Sequence, residues 1–287
     1  MIRTAIQLQT FRSLPETLPE TISRVGTTAL EGVELPALNG TPPADVADAL
    51  EETDLDVVAA HVSLEELETE YETVLEAYET IDCSRLVVKR DDDGAFDSVD
   101  DVDATAQRLS TLASRLADDG FELLYHNGTA EFASLEGGSD GEFDVESGSE
   151  LDSQPEIEPE PEPETAYDAF VTATDEAVGF ELDTGLATYA GVDPSVVLAR
   201  HPGRIPVVHL TDAVAGGEAT RRVELGAGEL AVENCVETAR EAGVEWLVYE
   251  HVRTSDPLDS LTHAATKLPM LSERSLSDSH PDPASTD

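Results

Sequence analysis

Eight short runs of apolar and β-branched residues alternate with longer segments of helical periodicity along most of this chain. Such runs predict strands buried on both faces, as in parallel sheets that are covered by helices. The runs are Ile2–Leu8, Gly32–Leu35, Leu55–Val62, Arg85–Lys89, Phe121–His126, Val178–Asp183, Ile205–Leu210 and Val244–Glu250. Helices are predicted between them, among others at Ala44–Glu52, Leu64–Thr80, Val102–Ala117 and Leu230–Ala242. Eight strand-then-helix repeats predict an α/β fold, a (β/α)8 TIM barrel in one domain over residues 1–271.

A doubly wound open sheet is the competing architecture for this alternation. Such a sheet carries a glycine-rich nucleotide fingerprint after its first strand, and this chain has none there. The barrel is therefore the favoured prediction.

Two segments depart from the alternation. Residues 133–165 hold twelve acidic residues, no lysine or arginine, and alternating proline and glutamate, so they cannot bury enough apolar surface to become ordered. We predict a disordered acidic insertion between the fifth strand and its helix. The tail, residues 272–287, is also predicted to be disordered.

The charge of the chain limits its partners and its setting. There are 62 acidic residues against 16 basic ones, which gives a formal net charge of -46 and indicates a halophilic protein. Such a field repels nucleic acid and anionic lipid. No apolar run is long enough to span a membrane, and Cys83 and Cys235 lack metal or redox spacing. We therefore expect a cytoplasmic protein with two buried thiols and no nucleic-acid or membrane partner.

Side chains suited to metal binding or proton transfer follow five of the eight runs. They are His61, His126 with Glu131, Asp183, His209, and Glu250 with His251. In a barrel of parallel strands these ends share one face, so the side chains converge on one pocket. Any one of them is more often a loop hydrogen-bonding group. However, Asp183, His209 and Glu250 on three successive strands predict a site for Mn²⁺, Co²⁺ or Zn²⁺.

The later part of the chain resembles a known family. The stretch "GFELDTGLATYAGVDPSVVLARHPGRIPVVHLTD" (179–212) is similar to the sugar phosphate isomerase/epimerase group of the xylose isomerase-like barrels, within the AP endonuclease 2 superfamily. The resemblance continues through "VELGAGELAVENCVETAREAGVEWLVYEH" (223–251), and it extends back to "YHNGTAEF" (125–132) and "IQLQTFR" (6–12).

The resemblance implies a divalent metal bound by Asp183, His209, Glu250 and one ligand from the fifth strand, either His126 or Glu131. Glu131 is favoured for that ligand over His126. It also implies a sugar, sugar phosphate or polyol substrate, isomerised or epimerised by proton transfer through a metal-stabilised enediolate, with Glu131 or Glu250 as the base. Substrate contacts are expected from His61, His126, Lys89 and His251, and a homo-oligomer is compatible with the sequence.

Three alternatives remain open at this point. The first is a dehydratase of the inosose type, which uses the same metal and base to eliminate water. The second is an inactive barrel that only binds a sugar. The third, endonuclease IV, is disfavoured because it needs more histidines and a nucleic-acid partner.

Three positions depart from the family pattern. Gly128 replaces a second histidine, Thr211 replaces a lysine, and Val252 replaces an acid. Losing the lysine removes a fixed positive charge beside the site, which argues against a phosphorylated substrate.

Overall fold

The computed structural model describes residues 2–89, 94–135, 165–214 and 221–273. Within these ranges its strands are β1 (Arg3–Gln7), β2 (Gly32–Leu35), β3 (Asp56–His61), β4 (Arg85–Lys89), β5 (Glu122–His126), β6 (Val178–Asp183), β7 (Val207–His209), β8 (Asp212–Val214), β9 (Arg221–Val223) and β10 (Trp246–Tyr249). The helices are α1 (Leu18–Val25), α2 (Pro43–Thr53), α3 (Leu64–Thr69), α4 (Tyr71–Thr80), α5 (Val99–Asp118), α6 (Ala166–Ala173), α7 (Thr184–Tyr189), α8 (Pro194–Arg200), α9 (Val232–Glu241) and α10 (Pro257–Glu273).

Eight parallel strands close into a barrel, in the order β1, β10, β7, β6, β5, β4, β3, β2. The last strand pairs with the first, with Arg3 opposite Trp246 and Ile6 opposite Tyr249. The predicted TIM barrel is confirmed, and each of its strands lies within one of the eight predicted runs. The predicted helix over Leu64–Thr80 is interrupted at Glu70, which has a non-helical φ of -125° and separates α3 from α4.

Two apolar clusters reflect the two faces of each strand. A smaller cluster fills the barrel interior and includes Ala5, Val87, Leu124, Val207 and Val248. Their neighbours along the strands, such as Ile6, Val88, Tyr125, Val208 and Leu247, belong to the larger cluster between strands and helices. Successive side chains on a strand point to opposite faces, so this alternation is the expected result of burial on both sides.

The same alternation positions the polar residues. Two positions beyond six of the eight apolar residues of the interior, the chain presents a polar residue to the same face. The resulting set is Gln7 after Ala5, His61 after Ala59, Lys89 after Val87, His126 after Leu124, His209 after Val207 and Glu250 after Val248. The interior is thus apolar in the middle and polar at the carboxyl ends of the strands.

Between β7 and α9 the chain forms an antiparallel hairpin, β8 with β9, that the sequence did not predict. The turn that follows is organised by Asp212, which is 1% exposed. Its carboxylate accepts hydrogen bonds from the backbone N–H groups of Gly226 (2.8 Å), Gly228 (2.9 Å) and Leu230 (3.0 Å). Gly226 has a φ of +89°, and a Cβ on Gly228 would lie 2.2 Å from Asp212 Oδ1. The glycines of "GAG" therefore serve a tight turn around a buried carboxylate.

The predicted acidic insertion falls mostly on residues 136–164, which lie outside the described residues, as do residues 274–287 of the predicted tail. The described ends of the insertion meet, because the Ala166 N–H donates a hydrogen bond of 2.9 Å to the Ala133 carbonyl. Helix α6 then starts with a capping box between Thr165 and Asp168.

Candidate active site

A cavity of about 650 Å³ opens at the carboxyl ends of the barrel strands. Its wall includes Gln7, His61, Lys89, His126, Asn127, Gly128, Glu131, Arg222, Glu250 and Val252. Five of the site residues predicted from the sequence therefore meet at one cavity, and Asp183 and His209 lie buried close to them. This is the face at which the loops of such barrels carry their chemistry.

Three imidazoles converge beside the cavity. The ring centroids lie 5.5 Å apart for His61 and His126, 5.8 Å for His61 and His209, and 4.9 Å for His126 and His209. Burial, together with the neighbouring imidazole of His209, lowers the pKa of His126 to about 3, so its ring is neutral near pH 7. Burial alone would also lower the pKa of His61, but the Glu34 and Glu181 carboxylates outweigh it and raise that pKa to about 9.

Asp183 ends β6 and is fully buried. Its Oδ1 accepts hydrogen bonds from the Leu186 backbone N–H at 2.9 Å and the Thr211 hydroxyl at 2.5 Å, while the Asn127 side chain accepts its backbone N–H at 2.8 Å. Burial opposes ionisation, but the Arg222 guanidinium outweighs it, and the pKa of Asp183 falls to about 2. Asp183 is therefore an ionised acceptor in a fixed orientation.

Arg222, in the unpredicted hairpin, joins two of the predicted ligands. Its guanidinium donates to Asp183 Oδ2 at 2.6 Å and to Glu250 Oε2 at 3.0 Å. A buried charge of this kind is stable because both partners are carboxylates. The sequence analysis did not predict this positive charge beside Thr211. Because Arg222 is paired with both carboxylates, the inference against a phosphorylated substrate stays a prediction.

His209 contributes a buried nitrogen with no partner. Its Nε2 is 2.6 Å from Glu34 Oε2, whereas Nδ1 has no hydrogen-bond partner among the described residues. Nδ1 lies 3.9 Å from Glu250 Oε2, and one ligand atom each from His126, Asp183 and His209 fall within 4.8 Å of one another. A lone pair beside carboxylates, held by a carboxylate on the other ring nitrogen, fits a bound divalent cation.

The structure places Glu131 apart from that group. It lies in the 3-10 turn Ala130–Phe132, and its Oε1 accepts a 2.7 Å hydrogen bond from the Tyr125 hydroxyl. Its Oε2 is buried without a hydrogen-bond partner in the described part of the chain. Of the two candidates for the fourth ligand, His126, at the end of β5, is the one near the other ligands, with Nε2 3.9 Å from Asp183 Oδ2. The assignment of Glu131 as fourth ligand stays a prediction.

Gly128 lies on the cavity wall. The three atoms nearest to a Cβ built at this position all belong to Glu131, with Oε2 nearest at 3.1 Å. A side chain here would therefore press on the Glu131 carboxylate.

The two remaining predicted contacts differ in placement. Lys89 ends β4, is exposed, and lines the cavity. His251 is buried and does not line the cavity as described. Its backbone N–H donates to the Thr10 hydroxyl at 3.1 Å, and its Nε2 lies 3.8 Å from Glu224 Oε1.

The sequence analysis missed a second polar layer just below Asp183. Glu34 and Glu181 are both fully buried, and they approach His61 and His209 from opposite sides. Glu181 lies two residues before Asp183 on β6, so strand alternation alone would have placed it on the same inward face. Arg222 had no comparable signal, because a three-residue strand is too short to show a pattern.

Comparison with known proteins supports the fold class. No family model matches the chain, and no curated protein matches it. Among solved structures, a sugar phosphate isomerase/epimerase from Parabacteroides distasonis ATCC 8503 has a TM-score of 0.70 at 17% identity, covering 94% of this chain and 100% of that one. The IolI protein with a bound zinc atom has a TM-score of 0.70 at 14% identity, covering 94% and 98%. The probable 3-DHS dehydratase AsbF from Bacillus anthracis has a TM-score of 0.68 at 11% identity, covering 92% and 97%.

These structures carry the fold that the sequence resemblance led us to expect. The chain folds as a TIM barrel, and its structural neighbours include sugar phosphate isomerase/epimerase and xylose isomerase domain proteins. At identities below 20%, this likeness establishes the architecture. Among the described residues, no helix combines the length and apolar character needed to cross a membrane.

Proposed function

We propose that this protein is a metal-dependent isomerase or epimerase of a sugar, a sugar phosphate or a polyol. One observation carries the proposal: the buried Nδ1 of His209, which has no hydrogen-bond partner in the described structure, lies 3.9 Å from the Glu250 carboxylate below the open cavity. We expect His209, Asp183 and Glu250 to bind a divalent ion, with the fourth ligand from His126 or Glu131. Mn²⁺, Co²⁺ and Zn²⁺ all suit this mixture of imidazole and carboxylate.

When bound, the ion would polarise a substrate carbonyl and so make the neighbouring C–H more acidic. The protein must then supply a base within hydrogen-bond reach of that C–H. Glu131 and Glu250 both line the cavity, and Glu131 Oε2 has no hydrogen bond among the described residues to compete with a proton. We assign the proton transfers to this pair. Arg222 donates to Glu250 and so orients its carboxylate.

The cavity supplies binding groups around these carboxylates. His61, His126, Lys89 and Gly128 line its wall. A volume of about 650 Å³ is within the usual range of small-molecule sites, about 300 to 1,000 Å³.

Elimination of water is the second candidate. It requires the same activated C–H and a similar base, and a dehydratase is among the structural neighbours. The two reactions differ in whether a hydroxyl leaves from the carbon next to the carbanion. The substrate screen described next therefore includes inosose.

The test begins with metal content. Protein purified at high salt and stripped with a chelator should regain a thermal shift with Mn²⁺, Co²⁺ or Zn²⁺. Pairs of ketoses and aldoses, and inosose, are then screened for turnover and for exchange of the substrate C–H in D₂O. Asp183→Asn should abolish exchange, whereas Asp175→Asn, at an exposed position, is the matched control. If no ion binds and no substrate exchanges, the proposal is refuted.

A further inference from the structure

The second polar layer of the barrel, which lies just below Asp183, has a feature that ion pairing alone does not explain. Glu34, His61, Glu181 and His209 alternate around a ring, with carboxylates on opposite sides and imidazoles between them. One ligand atom of each lies within 4.8 Å of all the others. Glu34, Glu181 and His209 are fully buried, and Glu34 is further held by the Gln7 amide, which donates to Oε1 at 3.0 Å.

The hydrogen bonds of this ring do not balance. Each imidazole can carry only one hydrogen on Nε2, and both Nε2 atoms are nearest to Glu34, which His209 meets at 2.6 Å. Glu181 lies 3.3 Å from His61 Nε2 and 3.2 Å from His209 Nε2, yet neither of its oxygens has a hydrogen-bond partner in the described residues. A buried carboxylate with two unsatisfied oxygens is costly and needs an explanation.

A bound divalent cation would neutralise the negative charges and accept the lone pairs of the same four side chains. Two carboxylates carry two negative charges, and one divalent ion neutralises them while both imidazoles stay neutral. The ion would accept the lone pairs of His61 Nε2, His209 Nε2 and the Glu181 oxygens together. Ligands about 2.0 to 2.3 Å from one ion lie about 3 to 4 Å from each other, which is the spacing that Glu181 keeps from both imidazoles.

We propose that Glu34, His61, Glu181 and His209 form a second divalent-cation site beneath the cavity, with two nitrogen and two carboxylate ligands that suit Zn²⁺. This site does not depend on the proposed reaction. It shares His209 with the proposed cavity metal site, because Nε2 faces the lower site while Nδ1 faces Glu250, and it shares His61 with the cavity wall. With both sites filled, His209 would bridge two ions as an imidazolate, after releasing its remaining ring proton to solvent.

Location of the ion by crystallography is the direct test. Crystals of the chelator-treated protein are soaked in Zn²⁺, and anomalous difference maps are recorded at the zinc edge. The expected peak lies between Glu181 and the two Nε2 atoms. Its absence overturns the proposal and means that a proton or a water molecule satisfies Glu181. A peak between Asp183 and Glu250 is a separate result, which reports on the proposed active site.

Variants provide the solution test. The chain is titrated with Zn²⁺ at high salt and with excess Mg²⁺, so that exposed carboxylates are occupied, and bound zinc is counted per chain. Glu181→Gln should remove one equivalent, or weaken it about tenfold or more. Glu122→Gln, on the same inward face at the opposite end of the barrel, should keep it. Asp183→Asn should affect only the cavity ion. Unchanged zinc stoichiometry and affinity in Glu181→Gln would overturn the lower site.

A folding defect is distinguished by the metal-free state. Circular dichroism and thermal unfolding of chelator-treated Glu181→Gln should match those of the wild-type chain, since the substitution keeps the side-chain size. Should Glu181→Gln fail to fold, His61→Gln takes its place in the zinc count, because His61 is partly exposed.

Discussion

The buried carboxylate of Asp212 provides the strongest test of the physical argument. Its Oδ1 accepts the backbone N–H groups of Ala213 at 2.9 Å and Leu230 at 3.0 Å, and its Oδ2 accepts those of Gly226 at 2.8 Å and Gly228 at 2.9 Å. In Asp212→Asn only one oxygen remains, and the new amide group faces two N–H donors. Each buried donor left without an acceptor costs about 1 to 3 kcal/mol. We expect a loss of about 3 to 5 kcal/mol from the free energy of unfolding.

That loss is large for a single domain, whose total stability is about 5 to 15 kcal/mol. The assay is urea unfolding at fixed high salt, followed by fluorescence and circular dichroism, with the free energy taken from linear extrapolation. The control is Asp193→Asn. Asp193 caps α8 through a single bond to the Ser195 N–H at 2.9 Å, and asparagine caps helices as well as aspartate does.

The control should therefore change the free energy by only a few tenths of a kcal/mol, the usual scale for equivalent caps. A loss below about 1 kcal/mol for Asp212→Asn, judged against the donor cost above, would refute the hydrogen-bond accounting. Equal losses in both variants would refute it as well, because the two sites differ in the number of donors that they satisfy.

Three further predictions concern positions away from the cavity. Burial raises the pKa of Cys83 and of Cys235 to about 12. Neither thiol should therefore react quickly with a disulfide reagent at pH 8, and both should react after unfolding. Rapid reaction of the native protein would contradict the burial. Arg204 donates hydrogen bonds to three backbone carbonyls and a hydroxyl. Arg204→Lys should therefore lower the free energy of unfolding, measured by urea titration, by about 2 kcal/mol. An unchanged free energy would show that these hydrogen bonds contribute nothing. Burial opposes ionisation of Asp168, but bonds from His201, Thr165 and Arg200 outweigh it and lower its pKa from 3.8 to about 2. The contribution of Asp168 to stability is therefore present above pH 3.8 and lost as pH falls toward 2. Asp168→Asn should lower the free energy of unfolding by about 1 to 2 kcal/mol at pH 7, allowing for solvent screening. An equal loss at pH 2 would contradict the charge argument.

Much of the architecture was predictable because burial on both faces leaves a clear pattern. Every barrel strand corresponds to a run of apolar residues bounded by turn or helix signals, and Gly243, with a φ of +86°, directly follows the predicted helix Leu230–Ala242. The two buried cysteines also agree with the prediction from composition. The break at Glu70 was not predicted, since the apolar spacing continues through it.

The candidate site was predictable only where a strand carried it. Strand ends identified His61, His126, Asp183, His209 and Glu250, because alternation fixes the face on which each side chain lies. Beyond a strand end no such rule applies. The sequence did not indicate that Glu131 would turn toward the Tyr125 hydroxyl, nor that a short hairpin would return Arg222 to the site. Loop geometry depends on tertiary contacts that a single sequence does not encode locally.

The hydrogen bond between Ala133 and Ala166 has a consequence for protein engineering. This bond holds Ala133, which follows β5, next to Ala166, the first residue of α6. The barrel therefore needs only a very short connection between them. The cost of closing a loop grows slowly with its length, so this junction tolerates inserts of widely different size. A two- or three-residue glycine-rich turn, or a folded reporter domain with adjacent termini, can be placed between the same two residues. The junction is thus an attachment point for added domains, close to the cavity mouth.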